Sequence, residues 1–162
     1  MRIKIEKLVF GGAGIARTED GVIFVSKVLP GELVEVSIKD RKKDYANARL
    51  LNVLEPSPHR KPPACPNFST VGCCNWDYIA YDKQTDIKES IIRDSLSRLG
   101  HIEWEQVIDL ITGLEQGYRM RAKFHVENHC LGFVREQTHH FVSIAECVAL
   151  MPALNTFIGE AN

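Results

Sequence analysis

Three of the chain's five cysteines, Cys65, Cys73 and Cys74, fall in one short run, Cys65-Pro-Asn-Phe-Ser-Thr-Val-Gly-Cys73-Cys74-Asn-Trp, and Cys147 stands ahead of a short C-terminal helical pattern. Thiolates gathered in this way ligate soft metals and iron–sulfur clusters. The run has the look of a metal-cluster loop in altered form. Structural zinc sites use Cys-x(2–4)-Cys pairs, and none occurs, so zinc is the weaker reading. Cys130 lies apart from the run and reads as a strand residue.

A second chemistry is carried by cations. Residues 1–61 hold twelve Lys/Arg against eight Asp/Glu, a balance of +4, whereas residues 62–162 hold eight against thirteen, a balance of −5. The positive charge gathers at Lys39, Arg41, Lys42, Lys43, Arg49, Arg60 and Lys61. Such a set suits phosphate contacts, and it equally suits a solvated hairpin turn. Arg119, Arg121 and Lys123 alternate along the chain, so on a strand they share one face, again fitting phosphate contact or a solvated face. Phe68, Trp76 and Tyr81 are candidates to stack on bases or, as the blander role, to pack beneath the cysteine loop.

The elements that position these groups follow from length and patterning. The chain has 162 residues, 44% hydrophobic and 25% charged, enough for one mid-sized domain or two small ones. No run of 18 apolar residues occurs, and Met-Arg-Ile-Lys-Ile-Glu is no signal-peptide core, so the expectation is a cytoplasmic protein with no membrane partner. In that reducing compartment an odd number of cysteines argues against a disulfide framework.

Ile3 and Ile5 alternate with Lys4 and Glu6, and Val34, Val36 and Ile38 with Glu35, Ser37 and Lys39. Period two predicts strands. Turns at Gly11-Gly12-Ala13-Gly14, Glu19-Asp20-Gly21 and Pro30-Gly31 leave no room for long helices, and a small OB-like barrel of about five strands fits residues 2–55. The glycine cluster is not a phosphate loop, because no helix follows it. Pro56-Ser57-Pro58-His59-Arg60-Lys61-Pro62-Pro63 forms a stiff connector.

Beyond it, Ile87, Ile91, Leu96 and Leu99 predict a helix over 83–99, capped by Asp82 or Thr85 and stopped at Gly100. Residues 107–111 read as a strand, and 118–127 and 130–144 as longer strands turned at Asn128-His129. Pro152 opens a last helix carrying Leu154, Phe157 and Ile158. The expected fold class is β-rich α+β: an OB-like β-barrel over 1–56, then a small α+β cluster-binding domain over 57–162.

The residues also carry a family resemblance. Ile5-Glu6-Lys7-Leu8 through Gly11-Gly12-Ala13-Gly14-Ile15-Ala16-Arg17, then Val25, Leu29-Pro30-Gly31-Glu32 and Tyr45-Ala46, are similar to the TRAM domain. Through Pro56-Ser57-Pro58-His59-Arg60, Cys65-Pro66, Gly72, Cys74, Trp76, Tyr81, Gln84, Lys88 and Gly117-Tyr118-Arg119, the chain resembles the RNA uracil-5-methyltransferases that hold an iron–sulfur cluster. Gly132-Phe133, Val142, Ile144, Cys147 and Leu154-Asn155 continue the match to the end of the chain.

The resemblance implies an RNA-gripping barrel and a 4Fe-4S loop reading Cys, five residues, Cys, two residues, Cys, with the fourth ligand before the last helix. Cys65, Cys74 and Cys147 occupy the first, third and fourth positions, while Val71 occupies the second and Cys73 replaces a glycine. Valine cannot ligate iron. Cys73 and Cys74 as neighbours in extended chain point to opposite sides, so reaching two corners of one cluster requires a strained turn. Three arrangements stay open: a cluster that recruits Cys73, a labile three-cysteine cluster, and a lost cluster.

The family's catalytic cysteine, its carboxylate base and its S-adenosylmethionine site lie in a Rossmann-like domain C-terminal to everything matched here. The chain is therefore expected to be the substrate-recognition part of an rRNA methyltransferase, not catalytic by itself, with catalysis in a missing domain or a separate chain. A stand-alone TRAM-type RNA-binding module and a decaying remnant are the alternatives; Val71 and Asp77, the latter at a position usually Gln, suit the remnant.

Overall fold

The computed structural model describes residues 1–136 and 138–162. The chain divides into two compact units, one made of Met1–Lys61 with Tyr78–Leu110, the other of Pro62–Asp77 with Ile111–Asn162.

The first unit is built on β1 (Arg2–Lys4), β2 (Lys7–Leu8), β3 (Gly14–Thr18), β4 (Gly21–Val25), β5 (Leu33–Arg41) and β6 (Tyr45–Glu55), in the sheet order β1-β5-β6-β4-β3-β2. β1 and β2, two residues apart, stand at the two ends of that order. Between them Ile5 N–H donates to the Glu32 carbonyl (2.9 Å) and Glu6 N–H to that of Ile15 (2.8 Å), so one stretch of chain serves both edges of the sheet. Counted as one strand, it gives the five-strand OB-like arrangement, with β4 and β6 its one parallel pair. The period-two pattern turns Ile3, Ile5, Ile15, Ile23, Val25, Val34 and Val36 into the core. Gly14 has to be glycine: a Cβ there would lie 2.3 Å from Val28 Cγ2.

The same unit contains α1 (Tyr81–Gly100). Its N-terminus is not capped as expected. Ala80 precedes it with no side-chain cap, and the Thr85 hydroxyl donates to the Asp82 carbonyl (2.6 Å). His101, in the left-handed region at φ 53°, ends the helix. Ile91 is buried, but Leu99, expected on the same stripe, is 82% exposed. Residues 107–111 form no strand. The carbonyls of Trp104 and Gln106 just before them are taken by the Arg93 guanidinium.

The second unit holds a three-stranded antiparallel sheet, β7 (His125–Glu127), β8 (Cys130–Val134) and β9 (Phe141–Ser143), and α2 (Pro152–Ala161) with Pro152 in its first turn. Asn128 (φ 50°) and His129 (φ 64°) make the expected two-residue turn, both left-handed. The strand expected over 118–127 shrinks to β7, because Gly117 and Arg119 N–H groups bond to Val148 and Ala149 carbonyls instead of extending the ladder. The one expected over 130–144 is broken into β8 and β9. Val71, Ile144, Cys147, Leu150 and Ile158 form the buried core, with Ala122, Phe124, Phe133, Val142, Ala149 and Leu154 packed on it. Cys130 is a half-buried strand residue, as expected.

Candidate nucleic-acid interface and cysteine loop

The β5–β6 hairpin outruns the core. Its inner half buries Val34 and Val36, whereas Lys39, Arg41, Lys42, Lys43 and Arg49 on its outer half are exposed. Lys39 falls at a register shift, where Ile38 pairs with Ala48 and Asp40 with Asn47, and this bulge leaves Lys39 out of the ladder. Lys42 N–H bonds to the Tyr45 carbonyl (2.8 Å) and closes the tip. Asp20 lies 3.6 Å from Arg41, and Asp40 lies 3.9 Å from Lys42, both as exposed pairs that polyanion phosphates can displace.

Two aromatics outside the expected stacking candidates belong to this unit. Tyr45, 40% exposed at the hairpin tip, meets Phe24 edge-on at 5.6 Å. Phe10, 88% exposed, rides the turn in which Val9 N–H bonds to the Ala13 carbonyl. A large aromatic just before Gly11-Gly12, in a turn with no core to reach, was the available signal. An exposed ring of this kind offers a face to a base.

Arg60 has a different place from the other cations. Its Nε donates to Glu32 Oε1 (2.6 Å) and its Nη2 to Glu32 Oε2 (2.8 Å) and to the Lys27 carbonyl (2.9 Å), while the guanidinium lies 4.8 Å over the Tyr78 ring. Glu32 is fully buried and also accepts from Leu29 N–H (2.8 Å) and Ser57 N–H (3.1 Å). Tyr78, its hydroxyl on the Val28 carbonyl (3.0 Å), has its pKa raised by burial. The expected phosphate contact is thus a fork that fastens the proline connector to the corner of the sheet. Lys61 is half-buried.

In the second unit Arg119, Arg121 and Lys123 are all exposed, though not on a strand as expected. Alternation survives: Ala122 and Phe124 turn inward, and Phe124 stacks on Phe133 at 5.4 Å. Phe68 and Trp76 are half-buried, as is Tyr81 at the start of α1 in the first unit. His139 and His140 are both exposed, outside any strand.

The cysteine loop lies wholly in the second unit. Cys65 and Cys147 are buried, Cys74 half-buried and Cys73 exposed. Burial raises the Cys65 pKa. The Cys73 and Cys74 sulfurs do not diverge as expected: they sit 3.9 Å apart. The hydrogen bond between them holds Cys73 down at about 6, aided by Arg119, and pushes Cys74 up. Cys147 is fixed through its backbone, Asn155 accepting from its N–H (2.9 Å) and donating to its carbonyl (3.0 Å).

Among the described residues no three His, Cys, Asp or Glu side chains are grouped to hold a metal ion. A four-iron cluster takes one thiolate on each of four separated corners. Val71 supplies none, and two sulfurs near van der Waals contact serve one corner, not two. The donor set does not fit the cluster.

Residues 1–51 match the TRAM domain family. Over 159 residues the chain is 33% identical to an uncharacterized RNA methyltransferase of Aquifex aeolicus (strain VF5), covering 98% of this chain and 37% of that protein. It is 34% identical to the 23S rRNA (uracil(1939)-C(5))-methyltransferase RlmD of Stenotrophomonas maltophilia (strain K279a), covering 94% of this chain and 36% of that one. Among solved structures, the Pyrococcus abyssi tRNA (uracil-54, C5)-methyltransferase, in complex with S-adenosyl-L-homocysteine, matches with a TM-score of 0.67 at 25% identity, over 98% of this chain and 35% of that chain. The chain spans little more than a third of the length of these relatives.

Proposed function

Because the chain belongs to the RNA uracil-5-methyltransferase family, of which it spans the TRAM-containing N-terminal portion, we propose that it is the RNA-recognition part of such an enzyme and acts on ribosomal RNA in the cytoplasm. The observation that carries this reading is the collinear match of 98% of the chain to a structure of a uracil methyltransferase. Methyl transfer from S-adenosylmethionine belongs, on this reading, to the remaining length of the relatives, in the same polypeptide or a separate one.

The contacts divide by type. Lys39, Arg41, Lys42, Lys43 and Arg49 neutralise phosphates without reading sequence, whereas Phe10 and Tyr45 stack on unpaired bases. Arg119, Arg121 and Lys123 extend the cationic surface in the second unit. No helix of the described residues is long and apolar enough to cross a membrane.

Fluorescence anisotropy with a labelled rRNA fragment containing an unpaired uridine tests the proposal. Binding should weaken with salt at a slope of roughly −0.7 per phosphate contacted. A flat salt response, or no binding at low salt, would falsify the phosphate role. Tritiated S-adenosylmethionine with the same RNA should leave no label on the RNA; methyl incorporation by this chain alone would sink the division of labour.

A further inference from the structure

The loop between Cys65 and Asp77 is closed, beside a Cys65–Cys74 sulfur contact, by carboxylate and backbone contacts. The Asp77 carboxylate accepts from the Cys65 backbone N–H at 2.6 Å, joining the loop's two ends. Inside it, Phe68 N–H bonds to the Cys65 carbonyl (3.1 Å), Thr70 and Val71 N–H groups to that of Asn67 (3.1 and 2.9 Å), and Asp77 N–H to that of Cys74 (3.3 Å). Its outer edge is held from the β8–β9 connection, Glu136 N–H on the Val71 carbonyl (3.0 Å) and Arg135 Nε on that of Thr70 (3.1 Å). Gly72, at φ +81°, makes the reversal, and a Cβ there would press on the Glu136 carboxylate at 2.9 Å. The Val71 side chain, 2% exposed, fills the apolar core among Ile144, Cys147, Leu150 and Ile158.

We infer that this cysteine loop is a metal-independent element, in which the Val71 side chain and the Asp77 carboxylate provide the anchoring that cluster-bearing loops take from iron. Three consequences follow from the same residues. Cys147, backbone-clamped by Asn155 and packed on Val71, acts as a small apolar side chain. Cys73 and Cys74 face each other as a sulfur pair, Cys73 exposed and Cys74 half-buried. Neither iron supply nor oxidative loss of a cluster gates the cationic surface of Arg119, Arg121 and Lys123.

The test uses the whole chain, expressed with added iron, purified without oxygen and treated with ferrous iron and sulfide. Iron and sulfide should stay far below one per chain, with no broad visible absorption, and the thermal midpoint should match that of protein made under iron depletion. About four irons and four sulfides per chain, or a midpoint that falls when iron is withheld, would overturn the inference.

Val71→Cys, treated identically, should gain iron, sulfide and visible absorption; a colourless Val71→Cys protein would remove Val71 as the deciding residue. In iron-free protein Asp77→Ala should lower the midpoint by roughly 4–8 °C, while Asp77→Asn, which keeps an acceptor oxygen, should recover most of it. An unchanged midpoint for Asp77→Ala would remove the clamp. None of these readouts depends on RNA, so they stand or fall separately from the recognition function.

Discussion

Among the described residues, fifteen buried apolar side chains belong to the unit of Met1–Lys61 with Tyr78–Leu110, and six belong to the unit of Pro62–Asp77 with Ile111–Asn162. The larger core also contains a fully buried carboxylate, Glu32, while two of the six residues of the smaller one are cysteines. The first unit has enough apolar burial to carry an internal ion pair. In the second, with short strands and few aliphatics, each buried group weighs more, and thiols serve as filler. The contrast bears on function: the first unit is a rigid scaffold for a projecting cationic hairpin, and the second depends on how its cysteine loop is closed.

The sharpest way to break the contrast is to strip the ion pair from the larger core. Arg60→Ala leaves Glu32 buried with its charge unpaired, and should cost about 3–5 kcal/mol in urea unfolding. The double variant Glu32→Met/Arg60→Met should lose far less than the sum of the single losses, because no buried charge is left behind. Additive losses would mean that the pair is not coupled.

Next comes the smaller core. Val71→Ala removes two methyl groups from a tightly bounded site and should cost about 2–3 kcal/mol. If the second unit is indeed held by so small a core, its hydrogen-exchange protection should fall while that of β3–β4 stays unchanged. Uniform loss of protection across both units would show one cooperative core and erase the distinction.

On the binding side the expected effect is smaller. Phe10→Ala should weaken RNA affinity by roughly 1–3 kcal/mol without changing the salt slope, since no charge is removed. Replacing Lys42 and Lys43 by Ala should flatten the slope, by about 0.7 for each phosphate no longer neutralised. A Phe10 variant that binds as the wild type would leave RNA binding by the first unit to the hairpin alone.

How much of this was legible in the sequence depended on whether the deciding interaction was local. The alternation of Val34, Val36 and Ile38, the turn at Asn128-His129 and the helix opened by Pro152 are short-range signals, and each appears where it was expected. The Arg60 fork was not legible because its partner is twenty-eight residues away and a basic residue in a proline connector looks solvated. Residues 107–111 have the apolar pattern of a strand but no partner edge. The sulfurs of Cys73 and Cys74 lie 3.9 Å apart in a segment outside any strand, so the alternation of an extended chain did not apply to them. For the cysteine loop, the Cys-to-Val change was visible in the sequence; that Val71 would join the core was not, since that required β8, β9 and α2 to be placed around it.

The smallest predicted effect separates two kinds of ion pair within the first unit. Lys7 on β2 donates to Asp94 on α1, with side chains 35% and 25% exposed, in contrast to the buried Glu32–Arg60 fork. The Lys7 ammonium holds the Asp94 pKa below its ordinary value of 3.8. A carboxylate with a depressed folded-state pKa stabilises the fold fully above its unfolded pKa, and that contribution is lost as pH falls through the folded value. Lys7→Met should therefore lower stability at pH 7 by less than about 1 kcal/mol, and the gap to wild type should close as pH falls through the depressed folded-state pKa of Asp94. Added salt should narrow the gap at pH 7, because the pair is solvent-accessible. A gap that did not narrow as the pH fell below 3.8 would mean that Lys7 acts through its aliphatic stem packing on α1 and not through its charge.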